Sequence, residues 1–134
     1  MRSADVVSGF VAEINAQDIP AIVALCAQDH AFIDAHGNVV PASGLQAAWR
    51  GYFAFMPGYR IEVQTMLAEG DTVAVFGHAW GQLASGAAWR RPAAWQALVA
   101  DGKVQRWQVY VDTKAVFDLM AGEPPQAKSV GSDR

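Results

Sequence analysis

The stretch HAFIDAHGN, residues 30–38, gathers two of the chain's three histidines around one acid, Asp34. A carboxylate at the end of an apolar segment is a candidate general base, because desolvation raises its pKa toward neutrality. His36 is its nearest polar partner in the chain and a second catalytic candidate. The same residues also read as the polar end of a strand that runs into the turn His36–Gly37–Asn38. His30, Asp34 and His36 would share one face, as metal ligands must, only if the strand continued through that turn. No metal and no other cofactor is therefore expected. Asp112, in YVD, is a possible second acid, or else the cap of the helix after it. Cys26 lies in IVALCA with no histidine or basic residue placed to activate it, and reads as a packed thiol. His78 reads as a hydrogen-bonded packing or interface residue. There is no GxSxG, no phosphate-cradling glycine loop and no dinucleotide fingerprint.

Composition narrows the classes further. With 134 residues, 52% of them hydrophobic, the chain can bury one core but not two. Its net charge is −3 and its ten basic residues are scattered, the densest cluster being Arg90–Arg91 ahead of Pro92. Nucleic acid is not an expected partner, since phosphate neutralisation needs a basic stripe. One cysteine precludes an internal disulfide and fits a reducing cytoplasm. MRSADVVSGF lacks the apolar region of a secretory leader, and no apolar run approaches the roughly 18 residues of a membrane span. A cytoplasmic protein without a membrane partner is expected.

The elements that must position Asp34 follow from periodicity. Ser3 caps a first helix in which Val6, Val7, Phe10, Val11 and Ile14 recur at helical spacing. After a break at Asn15–Asp18, Asp18 caps a shorter helix with Pro20 in its first turn; Ile22, Val23 and Leu25 are its buried positions, and Asp29–His30 ends it. Ala31–Ile33 forms a short strand leading to Asp34, and Val39–Val40 a return strand. Ser43 caps a third helix, residues 44–56, with Leu45, Ala48, Trp49, Tyr52 and Met56 on one stripe. Strands follow at 59–69, 72–84, 88–100 and 103–112, with turns at Gly70–Asp71 and Asp101–Gly102. A last helix is predicted over 113–122. The fold class is α+β, with helices on one face of a curved antiparallel meander. One domain spans 1–121, and the polar stretch 122–134 reads as a disordered tail.

Strand 72–84 has two unlike faces. Val73, Val75, Gly77, Ala79 and Gly81 are small, whereas Phe76, His78, Trp80 and Gln82 are bulky. The small face leaves room for a ligand cavity, and the bulky face suits a subunit contact. Five tryptophans in so short a chain serve either the core or a pocket for a flat apolar ligand. The candidate lining draws Phe10 and Ile14 from the first helix, and Trp49, Tyr52 and Phe53 from the third. Val75 and Gly77, Ala94 and Gln96, and Trp107 and Val109 join it from successive strands.

FVAEINAQDIPAIVALCAQDHAFIDAHG, then PASG, AAWRGYF and DGKVQRWQVYVD, resemble the nuclear transport factor 2-like superfamily, in particular its SnoaL-like polyketide cyclases and ketosteroid isomerases. The resemblance covers residues 4–121. It implies a conical α+β barrel, a strongly curved sheet wrapped around helices with a deep pocket, and a homodimer formed through the outer sheet face. It also implies a small apolar or aromatic ligand. The isomerases' general base is an aspartate three residues before a glycine, which Asp34 matches. Their two oxyanion donors, a tyrosine and a protonated aspartic acid, correspond to Phe10 and Ala94, so both are absent. Each lost donor costs on the order of 3 kcal/mol of barrier. Tyr52 or Gln96 is left as a substitute donor. The resemblance thus implies proton-transfer chemistry of isomerase, cyclase or lyase type, and the missing donors leave a non-catalytic binding or dimerisation module as the alternative.

Overall fold

In a computed structural model of the protein, residues 2–114 are described. Three helices come first: α1 (Ser3–Ala16), α2 (Ile19–Ala24) and, after a hairpin, α3 (Leu45–Phe55). The strands are β1 (Cys26–Ile33), β2 (Val39–Pro41), β3 (Arg60–Glu69), β4 (Thr72–Gln82), β5 (Ala88–Ala100) and β6 (Lys103–Val111). They form one sheet in the order β2-β1-β6-β5-β4-β3, antiparallel throughout except where β1 runs parallel to β6. The α+β class, the helices on one face of the sheet and the antiparallel meander from β3 to β6 are as the sequence predicts. The helix predicted over 113–122 and the tail over 122–134 lie outside the described residues beyond Lys114.

Residues Val7, Phe10 and Ile14 of α1 are completely buried, and so are Val73, Val75 and Ala97 of the sheet. The Phe10 ring meets Trp107 edge-on at 5.0 Å, a geometry worth about 1 kcal/mol beyond its burial. Asn15 ties α1 to β3 through both its amide groups, donating to the Ile61 carbonyl at 2.9 Å and accepting from the Ile61 N–H at 2.8 Å. At β5–β6 the turn residues Asp101 and Gly102 both have positive φ, 52° and 74°. That is the type I′ geometry which matches strand twist and which the Asp-Gly pair favours.

Several local expectations give way to tertiary contacts. Ser3 does not cap α1; its hydroxyl donates to the Gly70 carbonyl at 2.9 Å. Ser43 does not cap α3, which enters through a 3-10 turn, Ala42–Gly44. Asp18 does cap α2, accepting from the Ala21 N–H at 3.1 Å. The end of α2 falls at Ala24 rather than Asp29–His30, and β1 already begins at Cys26. The ladder to β6 explains the early start: Cys26 pairs with Val104 and Phe32 with Trp107, across an irregularity between Cys26 and Ala31.

Candidate functional site

Asp34 follows β1 in the tight loop to β2. Its N–H donates to the Asn38 carbonyl at 3.0 Å, and its own carbonyl accepts from Gly37 N–H at 3.0 Å. The carboxylate folds over the same loop: Oδ1 accepts from the backbone N–H of His36 at 2.8 Å and of Asn38 at 2.9 Å, and Oδ2 from Asn38 Nδ2 at 3.0 Å. Partial burial pushes the carboxyl pKa up, but the hydrogen bonds from Asn38 and His36 outweigh it, and the net value falls below the ordinary 3.8. The upward shift expected of a desolvated base is thus reversed. Asp34 is the cap of a turn as well as a lip of the cavity behind it.

That cavity holds about 360 Å³, within the usual range for small-molecule sites. It lies between α3 and the concave side of β4, β5 and β6. Trp49, Tyr52 and Met56 line it from the helix side, Trp89 and Trp95 from β5, Trp107, Val109 and Val111 from β6. Asp34, His36, Phe55 and Thr113 also line it, with His36 and Phe55 exposed. The His36 ring meets the Thr113 hydroxyl at 3.2 Å. Trp95 and Trp107 stack with centroids 6.3 Å apart, and Tyr52 meets Tyr59 edge-on at 4.9 Å. The Trp89 indole N–H donates to the Met56 sulfur at 3.2 Å. Burial raises the pKa of both phenols above the ordinary 10.0, so Tyr52 and Tyr59 remain protonated donors at neutral pH. The indole beside Tyr59, that of Trp95, tempers the rise there. Yet among the described residues the buried Trp95 Nε1 meets no acceptor with hydrogen-bond geometry.

Of the residues predicted to form this site, Asp34, His36, Trp49, Tyr52, Trp107 and Val109 come together around the cavity. Phe10, Ile14 and Val75 do not; they are fully buried where α1 fills the concave face. Phe53 packs behind Trp49 at 5.3 Å. Gly77 is small for another reason: a Cβ there would overlap the Glu62 carbonyl, where β3 bulges between Val63 and Thr65. Ala94 and Gln96 point away from the cavity, since their neighbours Ala93, Trp95 and Ala97 are the buried set. Gln96 accepts from the Tyr110 hydroxyl at 3.1 Å on the outer face and cannot serve as an oxyanion donor. The inward residues at that level, Ala93 and Trp95, are not acids either.

Asp112 is exposed and outside the lining. It accepts from the Lys114 N–H at 3.0 Å and approaches Arg91 at 3.8 Å; the helix it was expected to cap lies outside the described residues. His30 turns into the core, with Nδ1 2.6 Å from the Val104 carbonyl. Cys26 is a packed thiol whose Sγ donates to the Ile22 carbonyl at 3.3 Å and whose pKa burial lifts to about 12. The sequence reading missed Tyr59, Trp89 and Trp95 as lining residues. The period-2 signal for the last two was present, since both share a face of β5 with Ala93, Ala97 and Val99.

A curled sheet wrapped around helices, with one aromatic cavity between them, is the architecture of the nuclear transport factor 2-like superfamily. Within it the chain belongs to the SnoaL-like domain family, which it matches over residues 7–107. Solved structures agree in fold. A protein from Jannaschia sp. CCS1, described as a SnoaL-like polyketide cyclase, is 21% identical with a TM-score of 0.79, over 91% of this chain and 93% of that one. IdmH, a polyketide cyclase by description from Streptomyces antibioticus, is 19% identical with a TM-score of 0.76, over 90% of this chain and 99% of its own. TerC, co-crystallised with polyporic acid, is 19% identical with a TM-score of 0.79, over 89% of this chain and 98% of its own. Comparison with curated proteins gives no match.

Proposed function

We propose that this SnoaL-like protein binds a small, uncharged aromatic or apolar molecule in the cavity behind Asp34 and that Asp34 accepts a proton from it. The carrying observation is the aromatic cavity of about 360 Å³ with a single carboxylate at its edge. The polyporic acid in TerC supports small-molecule binding by this fold. Three hydrogen bonds fall on the Asp34 carboxylate, and two carboxylate oxygens offer about four acceptor sites, so a lone pair is left for a substrate proton. A depressed pKa weakens Asp34 as a base at equilibrium but keeps it ionised and ready. His36 sits beside it as the polar partner.

A second reading is favoured by the same hydrogen bonds: a non-catalytic binding module in which Asp34 only holds the loop. The probe that separates them is 1-tetralone, an enolisable aromatic ketone, in deuterated buffer at neutral pH. Binding is read by tryptophan fluorescence, and deuterium uptake next to the carbonyl by NMR. The catalytic reading expects uptake accelerated by the protein and lost in Asp34→Asn. Binding with no acceleration establishes the binding module instead. No binding of 1-tetralone or similar bicyclic aromatics would overturn both.

A homodimer through the outer sheet face belongs to the proposal as well. That face exposes Phe76, Trp80 and Tyr110, each more than a third accessible. Among the described residues no helix is long and apolar enough to cross a membrane. The lone, packed cysteine suits the cytoplasm.

A further inference from the structure

We infer that the cavity has a built polar end, formed by the Tyr59 hydroxyl with the Trp95 indole N–H behind it and Tyr52 alongside, and that this end selects ligands whose buried part carries a neutral carbonyl-type acceptor. The inference rests on the small-molecule reading above and names the ligand class.

Trp95 supplies the first observation. It is 1% exposed, it lines the cavity, and its Nε1 is a buried donor with no acceptor among the described residues. Buried indole N–H groups ordinarily have partners, and an orphaned one signals either stored cost or an absent acceptor. Tyr59 supplies the second. It is 6% exposed, begins at the end of the α3–β3 connection, and lines the same cavity next to Trp95. Its phenol is held protonated by burial, with the Trp95 indole beside it. Tyr52 meets its ring edge-on, so two phenols and one indole N–H converge in the same apolar wall. A ligand carbonyl accepting from the Tyr59 hydroxyl would turn that oxygen's lone pairs back toward Trp95 Nε1. The indole N–H, the phenol and the ligand oxygen would then lie in one hydrogen-bonded chain, each bond polarising the next.

The acceptor's charge follows from what else lines the cavity. Among the described lining residues there is no lysine or arginine, and the one formal charge is the Asp34 carboxylate. A carboxylate or phosphate driven into this site would be buried without a cation and beside a like charge. A ketone, quinone or similar neutral oxygen meets the two donors without that penalty. The polar group is also distinct from the oxyanion donors that the isomerase comparison leaves missing at Phe10 and Ala94.

The test compares 1-tetralone with tetralin, which has the same bicyclic skeleton and no carbonyl. Wild-type protein is expected to bind 1-tetralone about tenfold tighter than tetralin, the scale set by leaving buried donors unpaired. Tyr59→Phe should bring the ratio to one or below. Trp95→Phe should lower the ratio by a few-fold, its folding checked by thermal denaturation. In the infrared, the carbonyl stretch of bound 1-tetralone should lie at lower wavenumber in wild type than in Tyr59→Phe, a readout that lost packing alone does not move. Equal binding of both probes, with no shift of the stretch, overturns the polar end and leaves the apolar pocket standing. Failure of both probes to bind overturns the pocket reading, and the inference with it.

Discussion

Replacing Gly81 by alanine tests how the cavity wall is built. Gly81 pairs with Trp89 across β4 and β5, and the indole of Trp89 lies directly over the glycine. A Cβ at Gly81 would overlap Cε2, Nε1 and Cζ2 of that ring. The ring cannot stay: it must swing into the cavity it lines and give up the 3.2 Å contact from Nε1 to the Met56 sulfur, or the strands must part. Overpacking of this kind costs about 2 kcal/mol. In a domain of this size each kcal/mol moves Tm by about 4 °C, so Gly81→Ala should melt about 8 °C lower. Affinity for an aromatic probe such as 1-tetralone should fall with it, because the displaced indole takes ligand space. Adding Trp89→Phe should recover part of the loss, since the smaller ring leaves room for the Cβ. Differential scanning fluorimetry and a fluorescence titration read both effects. Unchanged Tm and affinity in Gly81→Ala would refute the placement of Trp89 over Gly81, and with it the account of this wall.

Other perturbations have equally definite outcomes. Gly77→Ala should be worse than Gly81→Ala, because its Cβ would meet the Glu62 backbone carbonyl rather than a movable ring; comparison of the two melting points checks it. Asp34→Ala should destabilise by about 1 kcal/mol at neutral pH, discounted for its partial exposure, as the loop loses three hydrogen bonds. Because the folded pKa of Asp34 lies below 3.8, that stabilisation is present above the unfolded value and disappears as pH falls through the folded one. Urea unfolding at neutral pH and in acid should show the gap between variant and wild type closing. His30 has its pKa lowered from 6.5, with burial the largest cause, so it is neutral when folded and protonated on unfolding in mild acid. Wild-type stability should decline as pH drops below 6.5, and His30→Asn should flatten that slope while lowering stability overall. Cys26, with a pKa near 12, should resist iodoacetamide at pH 8 in native protein and react only on denaturation, as mass spectrometry would report.

The parts of the fold legible in the sequence are those where one local signal and the tertiary contacts agree. Strand β5 begins and ends where alternation and the Asp101–Gly102 turn place it. Strand β1 was not legible in full. In CAQDHAFI only the last residues form an apolar run, and the burial pattern has no clean period because of the irregularity between Cys26 and Ala31. Its stability comes from β6, some 75 residues away, including the 2.6 Å contact from His30 to Val104. No local window contains that partner. The site divides in the same way. Trp107 and Val109 declare their shared face by alternation, but parity does not say which face is concave. Ala94 and Gln96 therefore went to the wrong side, one residue out of step with Trp95, and in a strand one residue is the whole difference between cavity and outer surface. Glycines carry a second ambiguity, since absent side-chain volume can be empty or already claimed. At Gly77 it is claimed by the bulged backbone of β3, and at Gly81 by Trp89. Only Ala79 on that strand opens onto the cavity.

Asp34 shows how one residue can serve loop and site together. Its position between β1 and β2 is fixed by the loop, because its carboxylate must reach the N–H groups of His36 and Asn38. Those bonds lock the side chain's orientation before any ligand arrives, which is what a catalytic base needs geometrically. They also stabilise the anion, which is the opposite of what raises basicity. Cutting the bonds one at a time separates the two effects. Asn38→Ala removes the side-chain donor to Oδ2 while leaving the backbone donors to Oδ1. If basicity limits the chemistry, this variant should exchange deuterium into 1-tetralone faster than wild type, with the acid limb of its pH profile moved upward. If orientation limits it, exchange should slow with the pH profile unmoved. A rate and profile identical to wild type would mean that the Oδ2 lone pairs take no part, and would remove Asp34 from the reaction.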